Sequence, residues 1–501
     1  MKTATHSVFS CTINTNLLSV LSVVKLILII TDVSAKQVES TTKGYRNSFI
    51  NPYPRYAAYN DGGDPGQPLF LTPLINNPNI TKEEVRKMAA VDVKQFLGVE
   101  SYAGYLTVDP KFNSSMFFWY FPAENAPTYA PVLLWLQGGP GASSMFGLFA
   151  ENGPFEFDFN GNLAKRNYTW SRSHNLIYID NPVGTGFSFT ESDAGYARNE
   201  KDVGHNLHEA MQQLYELFDF KNSVGFWITG ESYAGKYVPA LAYHIHMVQN
   251  SVDTRVTLPL NGIAIGNGLS DPLHQLKYGD YLFQLGLIDE NGLDRFHAAE
   301  AQGVKYIKEH KMEDAFKTFD SLINGDQSNG SIFNELTGYD FYYNYLKTKD
   351  DGIGSVLGQF LQSSSTRRAI HVGNKAFHDL DTENKVEEHL KLDVMDTVAP
   401  WIAELLKSYT VCIYNGQLDI IVAYPLTRNY LHNLKFADAA LYKVAKRQVW
   451  TIDGEIAGYF KVAGNLKEIM IRNAGHMAPS DQPKWMYNLI YNLTHSVISK
   501  L

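Results

Sequence analysis

The chain has 501 residues, 45% apolar and 13% aromatic, with 52 acidic side chains against 43 basic ones. That composition can bury a large core and excludes a disordered, collagen-like or coiled-coil protein. The formal charge of −9 argues against nucleic acid or an anionic membrane as a partner.

At the N-terminus Lys2 precedes an apolar run from Leu17 to Ile30, interrupted by Lys25 and followed by the small residues Val33-Ser34-Ala35. This reads as a signal peptide over residues 1–35, cleaved after Ala35, with 36–501 as the mature domain. The run is shorter than the about 20 residues of a membrane span, so no stable membrane insertion is expected. Five Asn-x-Ser/Thr sequons, at Asn79, Asn113, Asn167, Asn329 and Asn492, are candidate glycosylation sites and fit a secreted or lysosomal/vacuolar protein. Cysteine use is unusual for that route. Only Cys11 and Cys412 occur, and Cys11 lies in the leader, so the mature chain forms no internal disulfide. Cys412 sits in the apolar run Val411-Cys412-Ile413-Tyr414 and reads as a buried structural thiol.

Short β-rich runs follow in order: Tyr105 to Val108, Met116 to Phe121, Val132 to Leu136, Leu176 to Ile179, Gly225 to Thr229, Leu260 to Ile265, Thr410 to Tyr414 and Leu466 to Ile471. Several are continuously apolar, as strands covered on both faces are. Helical patterns lie between them, most clearly from Asp202 to Phe218, and the alternation predicts an α/β fold with a mostly parallel sheet. From about 271 to 400 the strand signal fades. Charged helical patterns such as Lys308 to Leu322 replace it, which predicts a helical insertion capping the site.

The chemistry-bearing segment is Thr229-Gly230-Glu231-Ser232-Tyr233-Ala234-Gly235, between the strand ending at Thr229 and a helical pattern from Lys236 to Gln249. This is the strand, tight turn and helix of a nucleophile elbow, whose small neighbours let the serine occupy a strained turn. Glu100-Ser101-Tyr102-Ala103-Gly104 repeats five letters of the motif, but a strand pattern follows it and no glycine precedes it, so Ser101 reads as structural. A serine nucleophile needs a histidine base and an acid that orients it, in the downstream order acid then histidine. Asp419 leaves one apolar strand in Tyr414-Asn415-Gly416-Gln417-Leu418-Asp419, and His476 leaves another in Asn473-Ala474-Gly475-His476-Met477. The predicted triad is therefore Ser232, Asp419 and His476. Trp135-Leu136-Gln137-Gly138-Gly139-Pro140-Gly141 lacks the Lys-Ser/Thr of a phosphate loop, and suits an oxyanion-stabilising loop instead. Gly262 to Gly268 reads as a strand end. His244 and His246, two apart on a helix, point to different sides, so no metal is expected.

The glycine loop, the elbow Gly230 to Gly235 and Gly475-His476-Met477 resemble the signatures of the serine carboxypeptidase family. Asp180-Asn181-Pro182-Val183-Gly184-Thr185-Gly186-Phe187-Ser188 and Asn415 to Asp419 look most like its vitellogenic-like branch. The resemblance implies an α/β-hydrolase fold, no cofactor, and peptide or protein C-termini as substrate, cleaved through an acyl-enzyme at acidic pH. It also implies that Gly139 and Tyr233 donate backbone N–H groups to the oxyanion. By the same resemblance Trp135, Gln137, Glu151 and Glu231 hold the substrate's terminal carboxylate. Two departures stand out: the family usually has Asn at Gln137, which leaves open where the longer amide falls, and Cys at Ala142, which fits the missing disulfides. The competing readings are an esterase or acyltransferase on the same triad, and a secreted, yolk-associated protein whose site is unused.

Overall fold

A computed structural model describes residues 61–248, 255–325, 330–349, 353–378 and 385–495, all within the unit Asn47–Leu501. The leader at 1–35 and Asn329 lie outside the described residues.

Among the described residues, ten strands form one sheet and two a small hairpin. In chain order they are β1 (Tyr102–Asp109), β2 (Ser114–Phe121), β3 (Val132–Leu136), β4 (Phe155–Phe157), β5 (Leu163–Lys165), β6 (Asn175–Ile179), β7 (Phe226–Glu231), β8 (Leu260–Gly266), β9 (Thr410–Gly416), β10 (Gln448–Ile452), β11 (Glu455–Ala463) and β12 (Leu466–Ile471). The large sheet runs β1-β2-β6-β3-β7-β8-β9-β12-β11-β10, with β4 and β5 paired separately. Its middle, β6 to β12 in that order, is parallel, and antiparallel pairs close both edges. All eight strand-like runs of the sequence are strands here.

The central strands are apolar throughout because both faces are covered. β3 and β6 are buried at every residue. Helices α1 (Glu200–Leu217) and α2 (Ala234–Val248) pack one face through Val203, Leu207, Leu214, Val238 and Leu241. The other face carries an aromatic cluster that includes Trp119, Trp135, Trp170 and Phe149. Cys412 and Ala142 lie fully buried in that cluster, and Cys412 is a free thiol. Each large aromatic buried there is worth about 2–3 kcal/mol of transfer free energy.

Four strands have no counterpart among the sequence-derived runs: the three-residue β4 and β5 of the small hairpin, and β10 and β11. β10 and β11 expose much of their length, so their pattern is mixed rather than apolar. The available signal was Asp453-Gly454, both at positive φ, a two-residue hairpin turn. The helical pattern from Lys308 to Leu322 is also split: helices span Glu290–Lys308 and Met312–Ile323, and His310 between them takes the left-handed φ of 56°.

Between β8 and β9 the described chain is helical and adds no strand to either sheet. This segment is fastened to the loops that leave β9 and β12. The Tyr342 carbonyl accepts from the amides of Ile420 and Ile421, both at 3.2 Å, and the Tyr343 carbonyl accepts from the His476 amide at 2.6 Å. It is also fastened to the start of α2. There the buried Lys236 ammonium donates to the Asp393 carbonyl and lies 3.5 Å from its carboxylate, which also accepts from the Tyr233 hydroxyl at 3.3 Å. No helix among the described residues is long and apolar enough to cross a membrane.

Candidate active site

Parallel strands bring their C-terminal ends to one edge of the sheet, where α/β folds gather ligand-binding groups. Ser232 follows β7, Asp419 lies three residues beyond β9, and His476 lies five beyond β12. Ser232 holds φ at +61°, the strained conformation of a nucleophile elbow, between the end of β7 and the start of α2. Its amide donates to the Gly266 carbonyl at 3.1 Å, and its carbonyl accepts from Gly235 and Leu269 at 2.9 and 3.0 Å. These bonds hold the turn against β8. Ser101, by contrast, is a buried residue just before β1, away from any such turn.

His476 donates from Nδ1 to Asp419 Oδ2 at 2.8 Å, and both side chains are fully buried. Asp419 also accepts from the Ile421 amide on Oδ1 (3.0 Å) and from the Val422 amide on Oδ2 (3.3 Å). A further donor to Oδ2 was not singled out from sequence: Asn267 Nδ2, at 2.7 Å, from the turn after β8. His476 Nε2 has no hydrogen-bond partner among the described residues.

The glycine loop after β3 lies against the elbow. A Cβ on Gly138 would stand 2.6 Å from the Tyr233 nitrogen and 2.7 Å from Ser232 Cβ, so only glycine permits this approach. Gly139 takes φ of +112°. Neither the Gly139 nor the Tyr233 amide donates to a backbone carbonyl among the described residues.

Trp135, Gln137, Glu151 and Glu231 form one buried network. The Trp135 indole is only a donor, and it donates to Gln137 Oε1 at 2.8 Å. That fixes the amide, whose Nε2 then donates to Glu151 Oε1 at 2.9 Å and to Glu231 Oε1 at 3.1 Å. The longer side chain of Gln137 thus keeps its amide between the two acids. Glu231 arrives at the end of β7, and Glu151 at the end of a π-turn, Gly147–Glu151. Single π-turns recur at functional sites because they re-aim one side chain. This one is possible because Gly147 has no side chain, since a Cβ there would collide with the Trp135 indole nitrogen and come within 2.7 Å of Gln137 Oε1. Burial pushes the Glu151 carboxyl up to about 7, against the opposing pull of its hydrogen bonds to Glu231 and Gln137.

The serine carboxypeptidase family profile matches residues 92–496. The chain belongs to the serine carboxypeptidase family. It is 51% identical over 459 residues to the venom serine carboxypeptidase of Apis mellifera, covering 91% of this chain and 97% of that protein. It is 48% identical to the vitellogenic carboxypeptidase of Aedes aegypti, covering 89% and 94% respectively. Among solved structures, the prohormone-processing carboxypeptidase of Saccharomyces cerevisiae superposes with a TM-score of 0.70 at 22% identity, over 82% of this chain and 96% of that one, and so shares the α/β-hydrolase fold. The enzyme is a serine carboxypeptidase, a hydrolase acting on peptides.

The other sequence candidates fall as follows. Asn79, Asn113 and Asn167 are exposed, whereas Asn492 is half-buried in the helix Pro483–Thr494. His244 packs on His205 and His208 while His246 bonds the Tyr409 hydroxyl at 3.2 Å, so the two histidines diverge as their spacing requires.

Proposed function

We propose that Ser232 is the nucleophile, His476 the general base and then acid, and Asp419 the residue that orients His476. In this reading the Ser232 hydroxyl attacks the last peptide carbonyl as His476 Nε2 takes its proton. The oxyanion is met by the Gly139 and Tyr233 amides, and the acyl-enzyme is released by water through the same base. Exopeptidase specificity is assigned to the Trp135–Gln137–Glu151–Glu231 network. The observation that supports this assignment is a buried acid pair beside the elbow serine, with Glu151 protonated until about pH 7. A protonated carboxyl donates a hydrogen bond to a substrate carboxylate, whereas two ionised ones would repel it.

The test uses matched peptides with free and amidated C-termini. The Michaelis constant of the free acid should rise from pH 5 to 8 while that of the amide stays flat. Parallel profiles would remove the carboxylate assignment. Ser232→Ala should abolish turnover of both peptides. Turnover of esters in place of peptides would favour the esterase reading.

We further propose that the chain travels the secretory route with 1–35 as leader, and that the helical insertion caps the site. The exposed Asn79, Asn113 and Asn167 are the glycan acceptors on that route, checked by a mobility shift after glycosidase treatment.

A further inference from the structure

We propose that Asn267 is a positioning residue of the reaction, clamping the Asp419 carboxylate so that Oδ2 faces His476. The role rests on the triad reading above.

Asn267 is fully buried in Gly266-Asn267-Gly268, directly beyond β8, in the left-handed conformation at φ +43°. Three bonds determine its side chain and backbone. Its own amide donates to the Tyr414 carbonyl at 2.8 Å, tying the turn to β9. Its Oδ1 accepts from the Gly416 amide at 3.1 Å. A flipped side chain would set an NH₂ against that N–H, so the orientation is fixed, and Nδ2 is left to donate to Asp419 Oδ2 at 2.7 Å. That same oxygen accepts from His476 Nδ1 at 2.8 Å. Asn267 therefore reads the start of the acid's loop at Gly416 with one end of its amide and sets the acid with the other. The Ile421 and Val422 amides complete the cage around the carboxylate.

This has a chemical consequence. The triad acid must hold the imidazole in the tautomer whose Nε2 is free to accept the serine proton, and must stabilise the imidazolium that forms. A donor on Oδ2 fixes that oxygen's direction and takes part of its charge. Without it, Oδ2 keeps only the imidazole at 2.8 Å and the longer Val422 amide bond at 3.3 Å, so the imidazolium carries more of the compensation and is favoured before reaction. Among the described residues, the phenols of Tyr278 and Tyr281 also interact electrostatically with Asp419, and Glu151 with His476. None of them hydrogen-bonds Oδ2.

Asn267→Gly isolates the side chain, because glycine accepts the left-handed backbone. With a free-acid peptide its kcat should fall roughly 10- to 100-fold, less than the about 10⁴-fold of disabling a triad acid. Its Michaelis constant should hold, and the acid limb of kcat/KM should move to higher pH. Asn267→Asp adds a carboxylate at the same point and should move the limb further if it folds. A wild-type kcat and limb in Asn267→Gly would overturn the proposal. So would a lowered kcat with an unmoved limb and a lower melting temperature, which is the mark of a purely structural residue. Fluorophosphonate labelling separates this from the triad reading: label on Ser232 of the wild type, slowed in Asn267→Gly, supports both, and label elsewhere in the wild type removes the triad reading itself.

Discussion

Two sets of buried carboxyl groups, Asp419 and the pair Glu151 and Glu231, are built oppositely. Asp419 and the pair Glu151 and Glu231 are equally buried, at 1% exposure or less. Asp419 is surrounded by donors, two side chains and two backbone amides. Glu151 faces another acid and a single shared amide, and burial pushes it up to about 7. Burial alone therefore does not decide what an acid does. The donors aimed at it matter as much: four reach Asp419, whereas Glu151 has one shared amide and a second acid beside it.

The largest effect should come from disabling the donor-rich side. Asp419→Asn is expected to lower kcat by roughly 10⁴-fold, with the Michaelis constant for a free-acid peptide little changed, because the imidazole loses its acceptor while the Trp135–Gln137–Glu151–Glu231 network is intact. A comparable loss expressed in the Michaelis constant would mean that the two sides are not separable.

Glu151→Gln tests the other side. Its amide donates at every pH, so the rise of the Michaelis constant above about pH 7 should flatten, a change of about tenfold at pH 8 for the free acid and little for the amidated peptide. Steady-state kinetics at pH 5 and 8 would decide it. An unflattened rise would move the titrating group elsewhere.

Stability should follow the same acids more weakly. Glu151 is raised from 4.5 to about 7, and Asp180, held by Ser143, Ser144 and Phe187, from 3.8 to about 7, both chiefly by burial. The folded state thus keeps protons that the unfolded chain gives up. Stability is fullest below the ordinary carboxyl range and declines as pH rises towards about 7. Melting temperature should fall from pH 5 to 7, and Glu151→Gln should remove part of that fall, on the order of 1 kcal/mol. A melting temperature that rises over this window would contradict the burial argument.

The smallest effect belongs to the positions outside both sets. Reductant should leave the melting temperature unchanged, since Cys412 is a buried free thiol pushed up to about 12 by its apolar setting. Native protein should resist alkylation there at pH 8. Ser101→Ala should keep full activity, as the control for the elbow. Rapid alkylation of the native protein would show that the cluster around Cys412 opens.

The parallel core, the elbow turn and the candidate positions Ser232, Asp419 and His476 are legible in the sequence alone. The reason is that each is written locally: an apolar run, a tight turn of small residues, or a charged residue just past a strand. It missed β10 and β11 because half-exposed strands carry no continuous apolar signal, and β4 and β5 because three residues are too few to show one; it joined the end of one helix to the next because His310 breaks them through backbone conformation, not composition. The acid network came from resemblance, and its working geometry belongs to the tertiary structure. Trp135 sets the Gln137 amide, Gly147 allows the π-turn that carries Glu151, and Asn267 reaches Asp419 across 152 positions of sequence. Hydrogen bonds of that span depend on which strand ends meet at one edge of the sheet. Folding decides that, and no single segment records it.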